Sequence, residues 1–376
     1  MKILHTSDWH VGKRIRGRDR SDEHRAVLAE IVGIAAENSV DLVLVAGDLF
    51  DTGSPTPMAE EIVWRSLIDL SRVAPVMVVS GNHDNAARID AVAPLLEMGR
   101  VTAVGAARRP EEGGTVLLED IGARVALLPF VSQRGIVKVE QIMGSDPDEH
   151  AAAYQDRMMR LIDKLTEGMD DGAVNVLVSH LTVYGATQGG GERDAHIFGY
   201  AIPASAFPGH LSYVALGHLH RQQRMPHPGA VWYSGSPLQL DFGEVDDRKG
   251  VLLVDAAPGK PSRVTEVPLT SGKRLVTVTG SLDEVLARAD SLQDAYVKVV
   301  LTESPRVGLA DEVRSAIPGA VDVILAAREV MKSDDPAGRP DHLAPQEAFR
   351  RYLEEKGALD EKVTALFGEL LAEVET

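Results

Sequence analysis

Five apolar runs rich in β-branched residues, Lys2 to Thr6, Leu42 to Val45, Val76 to Val79, Val174 to Val178 and Tyr213 to Leu216, each lead directly into a short polar signature. Runs of this length and composition read as buried strands. The signatures are Asp8-Trp9-His10, Gly47-Asp48-Leu49-Phe50-Asp51, Gly81-Asn82-His83-Asp84, Ser179-His180 and Gly217-His218-Leu219-His220. Strand ends thus deliver carboxylate, amide oxygen and imidazole, the hard and borderline donors that a pair of divalent cations takes from several chain segments. Alternation along a strand end is expected to send Asp8 and His10 to one face, and His218 and His220 likewise. The glycines at 47, 81 and 217 allow the sharp turns and close approach such a site needs.

Between these runs lie helical patterns. Val27, Ile31, Ile34 and Ala35 recur at helical spacing, with Ser21 expected to cap a helix running to about Asn38, and the segments near Met58 to Ser71 and Ala151 to Thr166 behave alike. Further strands are expected at Thr115 to Leu118, Arg124 to Leu128, Val231 to Ser234 and Gly250 to Val254. Alternating strands and helices favour an α/β architecture. Polar, Gly- and Pro-rich stretches interrupt it at Ala106 to Gly114, Gly185 to Asp194 and Asp255 to Arg263, the last being the best candidate for a domain boundary.

Residues 274 to 328 then read as strand, helix, strand, helix, strand: Leu275 to Thr279, Leu282 to Ala289, Tyr296 to Leu301, Leu309 to Ala316 and Val321 to Ala326. A linker from Met331 to Pro345 precedes two terminal helices, started by Pro345 and divided at Gly357. Val363, Leu366, Phe367, Leu370, Leu371 and Val374 make a wide apolar stripe on the second, which must be covered by its own domain or by a partner. The division expected is 1–268, 269–330 and 331–376.

With 376 residues the chain exceeds one comfortable core. The absence of cysteine removes disulfides, thiol nucleophiles and cysteine zinc sites. No apolar run nears the ~18 residues that span a bilayer, and no signal-peptide pattern opens the chain, so a cytoplasmic protein is expected. No Gly-x-x-x-x-Gly-Lys-Ser/Thr loop or Gly-x-Ser-x-Gly turn occurs, which argues against ATP hydrolysis by the chain itself and against a serine hydrolase.

The net charge of −17 speaks against a polyanionic substrate at first sight. Net charge governs long-range steering, however, while bound divalent cations can invert the local potential. Lys13, Arg14, Arg16, Arg18 and Arg20 crowd the stretch just after His10. Two readings stand: an ordinary solvated charged loop, or a rim that contacts phosphates.

The order Asp-x-His, Gly-Asp-x-x-Asp, Gly-Asn-His-Asp, His, Gly-His-x-His across residues 8 to 220 resembles the calcineurin-like metallophosphoesterase superfamily. Within it, Met1 to Arg25, Gly47 to Thr52, Gly81 to Asp84, Gly217 to Arg221 and Ser234 to Leu240 are similar to the SbcD-type DNA nucleases. The resemblance implies two sheets packed face to face with flanking helices, plus a small α/β capping domain and C-terminal helices. Joined to the donor chemistry, it implies that Asp8, His10 and His220 hold one metal, Asn82, His180 and His218 the other, and Asp48 bridges them. His83 would be left to act on the phosphate or leaving oxygen, with Asp84 orienting it. Archaeal relatives place histidine where Asp51 stands, so Asp51 is as easily a turn-capping carboxylate as a catalytic one.

The nitrogen-rich donor set disfavours Mg²⁺, and the resemblance points to two Mn²⁺. It also implies DNA as substrate, cut from 3′ to 5′ at duplex ends with hairpins and single strands opened, in repair and recombination. An SbcC-type ATPase would dock on the terminal helices. A homodimer within a heterotetramer is implied, for which the helices near Pro55 to Arg72 and Ile89 to Met98 are the candidate interface. Two other readings remain: a phosphoesterase acting on a small molecule or phosphoprotein, and a non-catalytic scaffold. Histidines 5, 24, 150, 196, 210, 227 and 342 are expected in ordinary core or surface roles.

Overall fold

The computed structural model describes residues 1–132, 147–189, 201–260 and 262–326, with Phe349, Arg350, Leu353, Val363 and Phe367 beyond them. Its first sheet takes β1 (Lys2–Thr6), β2 (Leu42–Ala46), β3 (Val76–Val79) and β4 (Val101–Val104) in parallel, then adds β13 (Gly250–Asp255) and β14 (Arg263–Pro268) antiparallel beside β1. The second has a parallel centre of β6 (Ala123–Leu128), β7 (Val174–His180), β10 (Tyr213–Gly217) and β12 (Val231–Tyr233). Its edges, β5 (Thr115–Leu118) and β11 (Gln223–Arg224), run antiparallel. Two short strands, β8 (Thr182–Val183) and β9 (Ala201–Ile202), pair apart from both.

The sheets are covered on both faces, which is why their central strands are mostly apolar and do not alternate regularly with polar residues. In β2, Leu42, Leu44 and Ala46 meet the opposite sheet, where Ile3, Val79, Val125, Val176 and Tyr213 also pack. Val43 and Val45 face outward onto the helices Ser21–Glu37, Pro57–Val73 and Ala86–Glu97. The helix Pro147–Thr166 covers the outer face of the second sheet through Tyr154, Met158, Ile162 and Leu165. Parallel strands covered this way all end on one side, so the connections leaving both sheets meet there.

Local sequence explains most helix ends. Thr56 accepts the Ala59 N–H ahead of Pro57, and Asn85 accepts the Arg88 N–H. Ser21 departs from expectation. It is already the first helical residue, and the Asp19 carboxylate takes its N–H. Asp255 to Arg263 also differs from the expected domain boundary, since β13 and β14 pair in register from Gly250 with Pro268 to Asp255 with Arg263. That stretch is a hairpin connection inside the first sheet.

After β14 the chain forms a three-stranded parallel sheet of β15 (Arg274–Gly280), β16 (Ala295–Leu301) and β17 (Ala320–Leu325), backed by the helices Leu282–Leu286 and Leu309–Ala316. It has its own core of Val278, Val285, Val297, Val299, Leu309 and Val313. A small cluster of Ile15, Phe242 and Leu275 joins it to the larger body. The linker expected at Met331 to Pro345 lies outside the described residues. The two terminal helices expected beyond it, with the apolar stripe of the second, lie largely outside the described residues too; of those described there, Phe349 and Phe367 are stacked with ring centroids 4.1 Å apart. Among the described residues no helix is long and apolar enough to cross a membrane.

Candidate metal centre

The connections after β1 and β2 run alongside each other, so that the N–H groups of Asp8, His10 and Val11 donate to the carbonyls of Gly47, Asp48 and Leu49. This lacing puts Asp8, His10 and Asp48 side by side. The expected reason for Asp8 and His10 sharing a face is not the one realised. β1 ends at Thr6, and both residues take left-handed backbone, with φ of 53° and 45°. Asp48 (φ 50°) and His218 (φ 105°) are also in this region, which costs non-glycine residues about 1–3 kcal/mol each. Trp9, between the two donors, is driven into the core, where its indole N–H bonds Thr6 Oγ1 at 3.0 Å.

Two donor clusters result. In the first, ligand atoms of Asp8, His10 and His220 lie within 4.8 Å of one another. The Nε2 atoms of His10 and His220 stand 3.2 Å apart. His220 Nδ1 donates to the buried Glu244 carboxylate at 2.8 Å, and His10 Nδ1 faces the Asp51 carboxylate at 3.6 Å. With Nδ1 carrying the proton in each ring, two Nε2 lone pairs face one another, an arrangement that a cation reconciles.

In the second cluster, Asn82 Oδ1 lies 3.0 Å from His180 Nε2 and 2.8 Å from His218 Nδ1. The Ala46 carbonyl, which can only accept, fixes His180 Nδ1 as a donor at 2.8 Å. Asp48 sits between the clusters, its Oδ2 being 3.4 Å from His10 Nε2 and 3.5 Å from His180 Nε2. Its Oδ1 accepts the His83 N–H at 2.8 Å.

Burial and mutual charge set the protonation of this interior. Burial would raise the Asp48 carboxyl, but His180 and His10 outweigh it and hold Asp48 well below the carboxylate range. Burial likewise opposes charge on His180, yet Asp48 and Asp8 hold its imidazole up at about 9. Asp8 is pushed up by burial and by the neighbouring Asp48 charge, and burial pushes His10 down to about 4. The donor set of oxygen and imidazole nitrogen suits a pair of first-row divalent cations.

Asp84 does not orient His83. Its carboxylate accepts the backbone N–H groups of Leu49, Phe50 and Gly81, tying the connection after β2 to the one after β3. His83 is instead set by the Asp51 carbonyl, 2.8 Å from its Nδ1, which leaves Nε2 for other chemistry. The Asp51 side chain is turned towards His10 and Lys13, the latter at 3.1 Å.

The basic stretch divides. Arg20 is buried, paired with Glu23 at 2.9 Å, bonded to the Gln239 carbonyl and placed over the Tyr296 ring, so its guanidinium has no access to a phosphate. Arg16 reaches across to Asp322 of the small sheet at 2.8 Å. Arg14 folds onto the Gly17 carbonyl, and Lys13 meets Asp51, while Arg14 and Arg18 remain exposed.

Glu244 and Lys249 carry no signal in the sequence. Glu244-Val-Asp-Asp-Arg-Lys249 looks like a solvated charged turn, and only the tertiary structure shows Glu244 buried against His220. Ser234 to Leu240 proves to be scaffolding: Ser234 Oγ meets Ser7 Oγ behind Asp8, and the Gln239 side chain bonds the Leu275 N–H and the Glu244 carbonyl.

Comparison with known proteins places this geometry. A family model described as calcineurin-like phosphoesterase matches residues 1–222, and one described as type 5 capsule protein repressor C-terminal domain matches residues 271–357. Proteins named as the D component of the nuclease SbcCD are similar over most of the chain. That of Bacillus subtilis is 32% identical over 100% of this chain and 99% of its own. That of Rhodobacter capsulatus is 32% identical over 93% and 90%. That of Escherichia coli K12 is 31% identical over 78% and 74%.

Proposed function

Since the chain belongs to the SbcD family of calcineurin-like phosphoesterases, we propose that it is a Mn²⁺-dependent DNA nuclease that hydrolyses phosphodiesters at the centre between its two sheets. The observation that carries this reading is the position of Asp48 Oδ2, nearly equidistant from His10 and His180, where one carboxylate serves two donor clusters. Asp8, His10 and His220 would hold one ion and Asn82, His180 and His218 the other, with Asp48 shared. Two such ions, when bound, polarise the phosphodiester, supply hydroxide near neutral pH and offset charge in the in-line displacement.

The chain's own residues account for the rest. His83, oriented through Nδ1 by the Asp51 carbonyl, turns Nε2 towards the phosphate or the leaving oxygen, to which it can give a proton when the ring is in its imidazolium form. Arg14 and Arg18, exposed on the loop that follows His10, would meet the DNA backbone. We assign residues 1–268 to the nuclease domain, 269–330 to a capping domain over the centre and 331–376 to a segment that docks an SbcC-type ATPase.

Within that assembly the substrates proposed are duplex ends, degraded 3′ to 5′, and single strands or hairpins, cut internally, in DNA repair and recombination. Exposed Met58, Ile68 and Leu95 on the helices Pro57–Val73 and Ala86–Glu97, with Met98 just after the second, support those helices as the homodimer face. The test is Mn²⁺-dependent cleavage of an end-labelled duplex by the purified chain, beside Asp48→Ala and a small chromogenic phosphodiester. Duplex degradation lost in the variant supports the nuclease. Cleavage of the small ester alone, unchanged on adding the ATPase, would sink it in favour of a small-molecule phosphoesterase.

A further inference from the structure

We propose that Glu244 is a positioning residue that fixes the tautomer and ring orientation of His220, so that Nε2 presents a lone pair to the metal centre. The proposal rests on the two-ion reading above. The Glu244 carboxylate is fully buried, and each oxygen has a defined task. Oε1 accepts from His220 Nδ1 at 2.8 Å. Oε2 accepts the Leu240 N–H at 3.0 Å and the Lys249 ammonium at 2.7 Å.

Lys249 in turn donates to the His220 carbonyl at 3.0 Å and to Ser236 Oγ at 2.9 Å, so the same cation neutralises the carboxylate and holds the histidine backbone. An uncompensated buried carboxylate would be costly, and Lys249 removes that cost without competing for Oε1. A histidine whose second nitrogen donates to a carboxylate is fixed in one tautomer and made a more basic ligand, and loss of such a partner typically weakens metal binding about 10–100-fold. The other histidines in the centre are set by backbone or by a more distant group: His180 by the Ala46 carbonyl at 2.8 Å, His10 by Asp51 at 3.6 Å. Of these three, His220 is the one whose Nδ1 has a carboxylate at 2.8 Å, and that carboxylate comes from outside every metal-type signature in the sequence.

The experiment is calorimetric Mn²⁺ titration of the metal-free full chain, with thermal unfolding of each metal-free protein measured in parallel. The variants are Glu244→Ala/Lys249→Met and Glu244→Gln/Lys249→Met, which both remove the ion pair but differ in whether an oxygen faces His220 Nδ1. The alanine variant is expected to lose about 10–100-fold in affinity for one ion and to keep the other near the parent value. The glutamine variant is expected to recover most of that loss at equal thermal stability. Equal Mn²⁺ affinities in the two variants would overturn the proposal and leave Glu244 as one half of a structural ion pair. A parent chain that binds fewer than two ions would overturn the two-ion reading itself, and the proposal with it.

Discussion

Gly81 lies against Asp48 so closely that a Cβ placed on it would stand 2.1 Å from Asp48 Oδ1. No rotamer change on the alanine side relieves such a contact, since a Cβ is fixed by the backbone. Asp48 would have to move, and with it the one carboxylate that serves both donor clusters. Gly81→Ala should therefore abolish binding of at least one Mn²⁺ and lower cleavage by about 100-fold or more, as misplacement by an ångström does elsewhere. Calorimetric Mn²⁺ titration beside circular dichroism checks this, and undisturbed binding of two ions would show that Asp48 can yield without loss.

His83 faces the centre with Nδ1 held by the Asp51 carbonyl, so its free nitrogen is available for proton transfer. His83→Ala should lower kcat by about 10²–10⁴-fold, the range for removing a general acid or base. Two Mn²⁺ should still bind. Loss of one ion on titration would reassign His83 as a ligand.

Exposed Arg14 and Arg18 and buried Arg20 should respond differently to substitution. Arg14→Glu with Arg18→Glu should weaken DNA binding and reduce the dependence of log affinity on log salt, because each lost phosphate contact lowers the slope by about one. Arg20→Ala should leave that slope alone and destabilise the fold by about 3 kcal/mol, since it removes the buried guanidinium that neutralises Glu23 and leaves that carboxylate only the Lys273 N–H and the Tyr296 hydroxyl. Denaturant unfolding and salt-dependent binding of both variants separate these outcomes. An unchanged slope in the double variant would return the loop to an ordinary solvated role.

His5 bonds the Tyr213 hydroxyl at 2.8 Å between the two sheets, and burial lowers its pKa from 6.5 to about 3. The unfolded chain takes up this proton near pH 6.5, whereas the folded chain resists it until about pH 3. Unfolded protein thus binds more protons between those values, and stability must fall as pH drops through 6.5 towards 3. For this group alone the slope reaches about 1.4 kcal/mol per pH unit. Chemical denaturation of chelator-treated protein at pH 7 and pH 5 should show a smaller acid-dependent loss in His5→Gln. Identical losses in parent and variant would place the acid sensitivity in other groups.

The strands, the donor inventory and the family were all legible in the order of residues. Lys2–Thr6, Val76–Val79 and Thr115–Leu118 match their expected bounds residue for residue; for Val76–Val79 the reason is plain, since a strand buried on both faces must be apolar along its length and stop where polarity begins. The order of Asp8, Asp48, Asn82, His180 and His218 followed from those strand ends. How the donors are aimed depends instead on contacts between distant segments. Asp8 and His10 converge through left-handed backbone, a conformation held by the neighbouring connection and not encoded by strand alternation. Asp84 was claimed by backbone N–H groups of the connection after β2 and of its own, Arg20 by a carboxylate and an aromatic ring inside the body, and Glu244 by His220 across a fold in the chain. A charged residue looks the same in sequence whether water or a buried partner satisfies it, and the choice rests on which distant segments are brought beside it.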